Sequence, residues 1–435
     1  MPAELHIPVD SVAVYESGMM IPENAPLPEY MRIDFSGKKS FEQYKMVHID
    51  MIANAEWKRP VFMSYTILNS DFYTYLKRFF VIEGMALRVT PFDWSKYGYD
   101  IDEINKGDYP VDIDKTYNNV MTRFVWGGIK EKENYYADEV TREFATYHHQ
   151  VFAKLADAMY KKIVKDGDEG RDYSELLRKL VALLEKQHVE LPADKIPLNI
   201  NDRKETVAEI CKELYIRESA KKGAGGYVGD DVCDRLSRLY IQNLKELLKY
   251  SWEYVEWYKV SKYKYGSSED NSKKLLYKML RMYYDGRTRG LEVDDVLPVS
   301  NARLVEILES EILSMLDSDD HDMCIASLNS GLPQAVARLM TSAVHDSAFA
   351  GVARRHVEKL LDMHYEMLGE LYKAANESKA DANETKKTLR SMNRVVECME
   401  HEISVATTLG ITLEEDVMDL YNESVALCGY RQVYP

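Results

Sequence analysis

The sequence predicts a mainly α fold that begins with a small N-terminal α/β unit. Three observations carry this. Apolar residues recur at helical spacing from about Asn134 to the C-terminus. The first 95 or so residues instead alternate short β-type runs with turn-forming Pro and Gly. The 435 residues are 46% hydrophobic and 29% charged, the balance of a chain that buries a sizeable core.

In the first region, Ile21-Pro22, Ala25-Pro26, Leu27-Pro28 and Ser36-Gly37 mark turns. Met31 to Phe35 alternates and reads as a strand. Phe41 to Ala55 places Tyr44, Val47, His48, Met51 and Ile52 at helical spacing. Arg59-Pro60 stops that helix, because a proline ring pushes the preceding residue out of the helical region. Val61 to Ile67 then reads as a strand. Asn69-Ser70-Asp71 offers an N-cap for a helix through Phe72, Tyr75, Leu76 and Phe79. Gly84 ends it, and Ala86-Leu87-Arg88-Val89 returns as a strand before Pro91. Strand–helix–strand–helix–strand is a small α/β unit.

The remaining pattern predicts helices over 137–165, 173–187, 204–222 and 231–265. Gly223 to Gly229 is a glycine-rich loop between the third and fourth, and Gly266-Ser267-Ser268-Glu269-Asp270 is the best linker. Further helices fall at 270–284, 301–316, 333–375, 380–408 and 413–427, with polar breaks at Asp317 to Asp320 and Asn376 to Glu384. The expected organisation is 1–130 for the α/β unit, 131–266 for helical hairpins of tetratricopeptide-like type, and 267–435 for a C-terminal helical domain. Leu155 to Tyr160, Leu180 to Leu184 and Pro192 carry the tetratricopeptide likeness, without a clean repeat period.

Net charge is −16, which disfavours nucleic-acid partners, since phosphate binding needs clustered Lys and Arg. No apolar run approaches the ~18–20 residues of a membrane span, so direct membrane insertion is not expected. Met1-Pro2-Ala3-Glu4 has neither the basic nor the apolar segment of a secretory leader. The cysteines at 211, 233, 324, 398 and 428 form no CxxC pair, which disfavours a disulfide framework or a structural zinc site.

Candidate chemistry is thin. His148-His149 are neighbours on a helix and cannot easily share one metal. Cys398 and His401 share a helix face without a second ligand pair nearby. His356 and His364 sit along the apolar stripe of Leu360, Met363 and Met367, as core histidines do. Gly223 to Gly229 lacks the lysine of a phosphate loop. Asp317 to Asp322 lacks the glycine and closing glutamate of a calcium loop. No catalytic, cofactor-binding or metal role is therefore assigned, and no cofactor is expected.

One resemblance adds to this reading. It rests on Val9-Asp10, Ser17 to Pro22, Pro28 to Met31, Met51 to Ala55 with Trp57-Lys58-Arg59-Pro60-Val61-Phe62, and Glu83-Gly84-Met85-Ala86 with Arg88-Val89 and Pro91. Asn118-Asn119, Phe124, Trp126, Gly127, Gly128 and the helical start at Tyr136, Asp138, Phe152, Ala153, Leu155 and Ala156 continue it, covering roughly residues 5 to 200. This region resembles the soluble part that follows the membrane core in the bacterial family catalogued as domain of unknown function 2723. That family is similar to protein O-mannosyltransferases. The resemblance implies a periplasmic C-terminal part of a multi-pass glycosyltransferase-like protein. Its catalytic core has no counterpart in this sequence, so the chain is expected to be a truncated or naturally separated soluble part. The implied partners are that missing transmembrane core and an acceptor protein or peptide. Bracing the core or positioning the acceptor is the implied role. A helical-repeat interaction scaffold and a free-standing enzyme of unrecognised type are the alternatives.

Within the resembling region, Trp57, Arg59, Pro60, Glu83 and Gly84 stand out as structural or interface residues. Pro60 forces a corner, Trp57 can bury against the sheet there, and Arg59 can reach nearby carbonyls or Glu83.

Overall fold

The computed structural model describes residues 4–35, 42–67, 73–133, 135–196, 203–223, 226–260, 269–317, 328–377 and 382–429. The turn at Ser36-Gly37, the N-cap at Asn69 to Asp71, Ala224-Gly225, the linker residues 266–268 and the acidic residues 318–322 lie outside the described residues. The fold is mainly α, and among the described residues its strands are confined to the N-terminal region. The chain divides into two compact units: residues 1–210 with 217–236, and residues 211–216 with 237–435.

The first unit opens with β1 (Glu4–Pro8), α1 (Ser11–Glu16), β2 (Tyr30–Asp34) and α2 (Gln43–Asn54). β1 and β2 pair antiparallel, and the alternation of β2 buries Met31 and Ile33 while Tyr30, Arg32 and Asp34 face out. Asp10 caps α1, its carboxylate accepting the backbone N–H groups of Val12 and Ala13. Next come β3 (Phe62–Ser64), β4 (Phe80–Glu83) and β5 (Ala86–Val89), an antiparallel sheet in the order β3-β5-β4. The outer edge of β4 is covered by a parallel bridge from Ile82 to Val111. Short helices α3 (Ile101–Asn105) and α4 (Ile113–Asn118) follow, and α4 runs into a π-helical turn over Asn119–Arg123.

Here the elements depart from the expected pattern. Residues 73–83, read as a helix that Gly84 ends, form turns, a 3₁₀ segment and the strand β4 instead. Tyr75, Leu76, Lys77, Phe79 and Phe80 are all buried, so burial runs along neighbouring residues and does not follow one helical stripe. The Val61–Ile67 strand is shorter than expected and passes into a 3₁₀ turn at Tyr65–Ile67.

The unit is completed by α5 (Glu139–Asp168), α6 (Ser174–Glu190) and most of α7 (Lys204–Ser219). α5 and α6 form an antiparallel hairpin: His149 near the start of α5 meets Gln187 near the end of α6. Phe152, Leu155, Ala156, Met159, Leu180 and Leu184 fill the seam. α7 and α8 (Asp230–Val260) each contribute to both units.

The second unit contains α9 (Glu269–Thr288), α10 (Asn301–Leu316), α11 (Leu332–Ala343), α12 (Ser347–Glu377), α13 (Ala382–Thr408) and α14 (Glu415–Cys428). α13 packs on α11, α12 and α14, and α11 also packs on α9. Tyr277, Leu280, Met340, Leu360, Val395 and Met399 form its core. The single helix expected over 333–375 is two, broken at Val344 to Asp346.

Candidate functional site

The residues singled out in the sequence gather around the corner after α2. Ala55 closes the helix, and the chain then reverses through two successive left-handed residues, Glu56 at φ 49° and Trp57 at φ 58°. The α2 helix therefore ends at Asn54, six residues before Pro60 and earlier than the proline alone requires. A left-handed L-residue costs roughly 1–2 kcal/mol. Burying an indole removes roughly 150–250 Å² from water, which at ~25 cal/mol per Å² contributes about 4–6 kcal/mol. Trp57 is buried to 5% exposure, and its Nε1–H donates to the Pro8 carbonyl at 2.7 Å. Burial of Trp57 is thus large enough to hold the reversal. Beside it, Lys58 pairs with Glu56 at 2.7 Å; their shared hydrogen bond, then their attraction, hold the amine above and the carboxyl below their usual ranges.

Arg59 and Glu83 do not pair. Arg59 is exposed and donates from Nη2 to the Asn54 carbonyl at 3.1 Å, closing the helix end that the reversal leaves open. Glu83 lies at the β4–β5 turn and takes Arg88 instead, with Nη1 to Oε2 at 3.1 Å, and Lys115 Nζ at 3.3 Å. Antiparallel register dictates this choice: Glu83 stands opposite Ala86, and Arg88 two positions on leans back toward it. Arg88 Nη2 also donates to the Ser17 carbonyl at 3.2 Å, and Lys115 Nζ to that of Gly18 at 2.5 Å. Asp112 approaches Lys115 at 3.6 Å and accepts its backbone N–H. Burial pushes the Asp112 carboxyl up, against the opposing pull of Lys115.

Gly84 adopts φ +68°, as the tight turn requires, and its N–H donates to Thr116 Oγ1 at 3.0 Å. A Cβ there would lie 3.3 Å from Asn119 Nδ2 and 3.4 Å from the Phe124 ring. Ser17, Gly18, Glu83, Gly84, Arg88, Asn119 and Phe124 thus converge from sequence positions up to about a hundred residues apart. Trp57, Arg59 and Pro60 line a shared recess with Arg88, walled by Met19, Ile52 and Val61 among others. Arg88 and Lys115 were not singled out as site residues from the sequence. Arg88 offered a signal, an arginine inside a short apolar strand, but its partners could not be read locally.

The remaining candidates are held internally. His149 is fully buried against Gln187, at 3.1 Å, and His148 meets the Phe144 carbonyl and the Trp126 ring. His356 contacts Glu309, and His364 contacts Glu402 with both side chains 2% exposed. Cys398 is buried, which raises its thiol well above the usual range. His401 faces Thr341 at 3.1 Å. Among the described residues, no group of three or more His, Cys, Asp or Glu could hold a metal ion, and no helix is long and apolar enough to cross a membrane.

Residues 1–108 match the family described as TMEM260-associated domain 2. The matched segment carries both sheets, α1, α2 and all of the recess. No curated protein and no solved structure matches the chain.

Proposed function

We propose that the chain is a non-catalytic part of a membrane-protein assembly, and that its N-terminal region makes the contact. The match of residues 1–108 to a TMEM260-associated domain carries this reading. A second observation agrees with it. Among the described residues, eight of the fifteen exposed large hydrophobic side chains fall between Val12 and Phe62, inside the matched segment. On α2, Tyr44, Val47 and Met51 form one exposed line at i, i+3 and i+7, beside the face that buries Ile49 and Ile52. Clustered apolar surface of this kind marks interaction sites.

The finer reading follows the residue resemblance. The partner is the multi-pass core of a glycosyltransferase-like protein. The chain sits on the periplasmic side of the bacterial inner membrane, where it braces that core or positions an acceptor protein.

The test is a photo-crosslinking side chain at position 51, irradiated in native membranes, with position 313 as the exposed apolar control. The expected result is a position-51 adduct containing a multi-pass protein, and none from position 313. Recovery of the chain away from membranes with no such adduct would overturn the proposal. So would sugar transfer by the purified chain that a single substitution within it abolishes.

A further inference from the structure

The recess between Trp57, Arg59 and Arg88 has features that the docking surface does not explain. Arg88 is only 3% exposed, and two of its donors are used, one by Glu83 and one by the Ser17 carbonyl. Its Nε–H is buried without a hydrogen-bond partner among the described residues. A guanidinium cannot shed its proton to escape that position, and a buried donor left unmade is destabilising, the more so on a charged group. Arg59 stands on the same recess with one N–H on a backbone carbonyl. Among the described residues, no acidic side chain lines the recess.

We propose that this recess binds a single carboxylate. One oxygen would enter to meet the buried arginine, and the other would meet Arg59 at the mouth. Size favours this class, since the recess as a whole holds water-sized room of about 10 Å³, enough for one oxygen. Charge favours it as well. Arg88 is already paired with Glu83, and the nearby Glu56 is hydrogen-bonded to Lys58 and attracts Arg59 only as a lesser partner, so at most one guanidinium charge is open to a ligand, which a monoanion matches better than a phosphate dianion. The site stands independently of the membrane reading. Where that reading holds, it also names the chemistry of the contact: an acidic side chain of the partner set into a corner that Trp57 keeps rigid.

The probe is sodium acetate, titrated into the full chain against sodium chloride at matched ionic strength, with sodium phosphate as a second arm. Arginine Nε–H resonances and acetate-soaked crystals report the result. Acetate should perturb one buried Nε–H and occupy the recess, while phosphate binds more weakly. Arg59→Gln should weaken acetate binding about tenfold or more, with partial recovery in Arg59→Lys. Arg59 is exposed, so these variants should keep the fold even if Arg88 substitutions do not. Acetate behaving like chloride, a water alone at Arg88, tighter binding of phosphate, or unchanged binding by Arg59→Gln would each overturn the proposal. None of these outcomes bears on the membrane crosslink, so the two readings fail separately.

Discussion

Arg88 and Trp57 set the energetics of the corner, and neither role can be seen from immediate neighbours in sequence. Ala86-Leu87-Arg88-Val89 reads as an apolar strand interrupted by one charge. What makes the charge tolerable is Glu83 across the tight turn and a carbonyl 71 residues earlier. Removing one partner of such a pair leaves a buried charge exposed to its full desolvation penalty. Glu83→Ala should therefore destabilise the N-terminal unit by about 3 kcal/mol, read as a lower urea midpoint. A loss below about 0.5 kcal/mol would mean that water reaches Arg88 freely. Trp57→Ala should cost about 3–5 kcal/mol, the usual range for truncating a buried aromatic. That the tryptophan lies at a corner is legible from Arg59-Pro60. That it takes a left-handed backbone is not, because nothing local favours φ 58° at an aromatic residue.

Among the elements, the long helices were the most legible, because an amphipathic stripe sustained over several turns leaves few alternatives. α10 spans Asn301–Leu316, the range its periodicity predicts. The break between α11 and α12 was lost because it contains no Pro or Gly, and the apolar spacing continues across it. Its signal was Asp346-Ser347, an N-cap pair in the middle of a helical pattern. Asp346 Oδ1 accepts the N–H groups of Ala348 and Phe349 at 3.0 and 3.3 Å. Its Oδ2 accepts from Arg287 at 2.9 Å and Asn301 at 3.2 Å, tying the start of α12 to α9 and α10. Asp346→Ala should remove the cap and both ties, for a loss of about 2–3 kcal/mol. Asp346→Asn keeps the cap and should lose less. Equal melts for the two variants would contradict this division. In the N-terminal region β1 and α1 went unread, although Asp10 was a usable cap signal. β4 was lost inside the helix read up to Gly84, because a short apolar run does not by periodicity alone separate a strand from a helical segment.

At the scale of the whole molecule, the sequence motifs that cluster in space are those whose order along the chain carried the family resemblance. Their meeting required sheet pairing and a helix reversal that no single segment encodes. Acid sensitivity also belongs to this scale, and in the second unit it has an identifiable source. His401 on α13 is lowered to about 4, first by burial and then by the charges of Arg338 and Arg281. The folded unit therefore disfavours the protonated ring, whereas the unfolded chain binds that proton near the ordinary value of 6.5. Stability from this group is fully present above pH 6.5. It falls as pH drops through the window from 6.5 to about 4, because only the unfolded state gains the proton there. The full linkage over that window, discounted for the ring's partial exposure, is on the order of 2 kcal/mol. Other groups titrate nearby, including Glu309, whose carboxyl is held below its usual value first by hydrogen bonds from His356 and Arg355. The measurement is therefore a difference. Urea midpoints of the parent and of His401→Gln, taken at pH 7 and at pH 4.5, should converge as the pH falls, because the parent alone loses this contribution. Parallel curves across the window would show that His401 takes up its proton as readily in the folded chain as in the unfolded one.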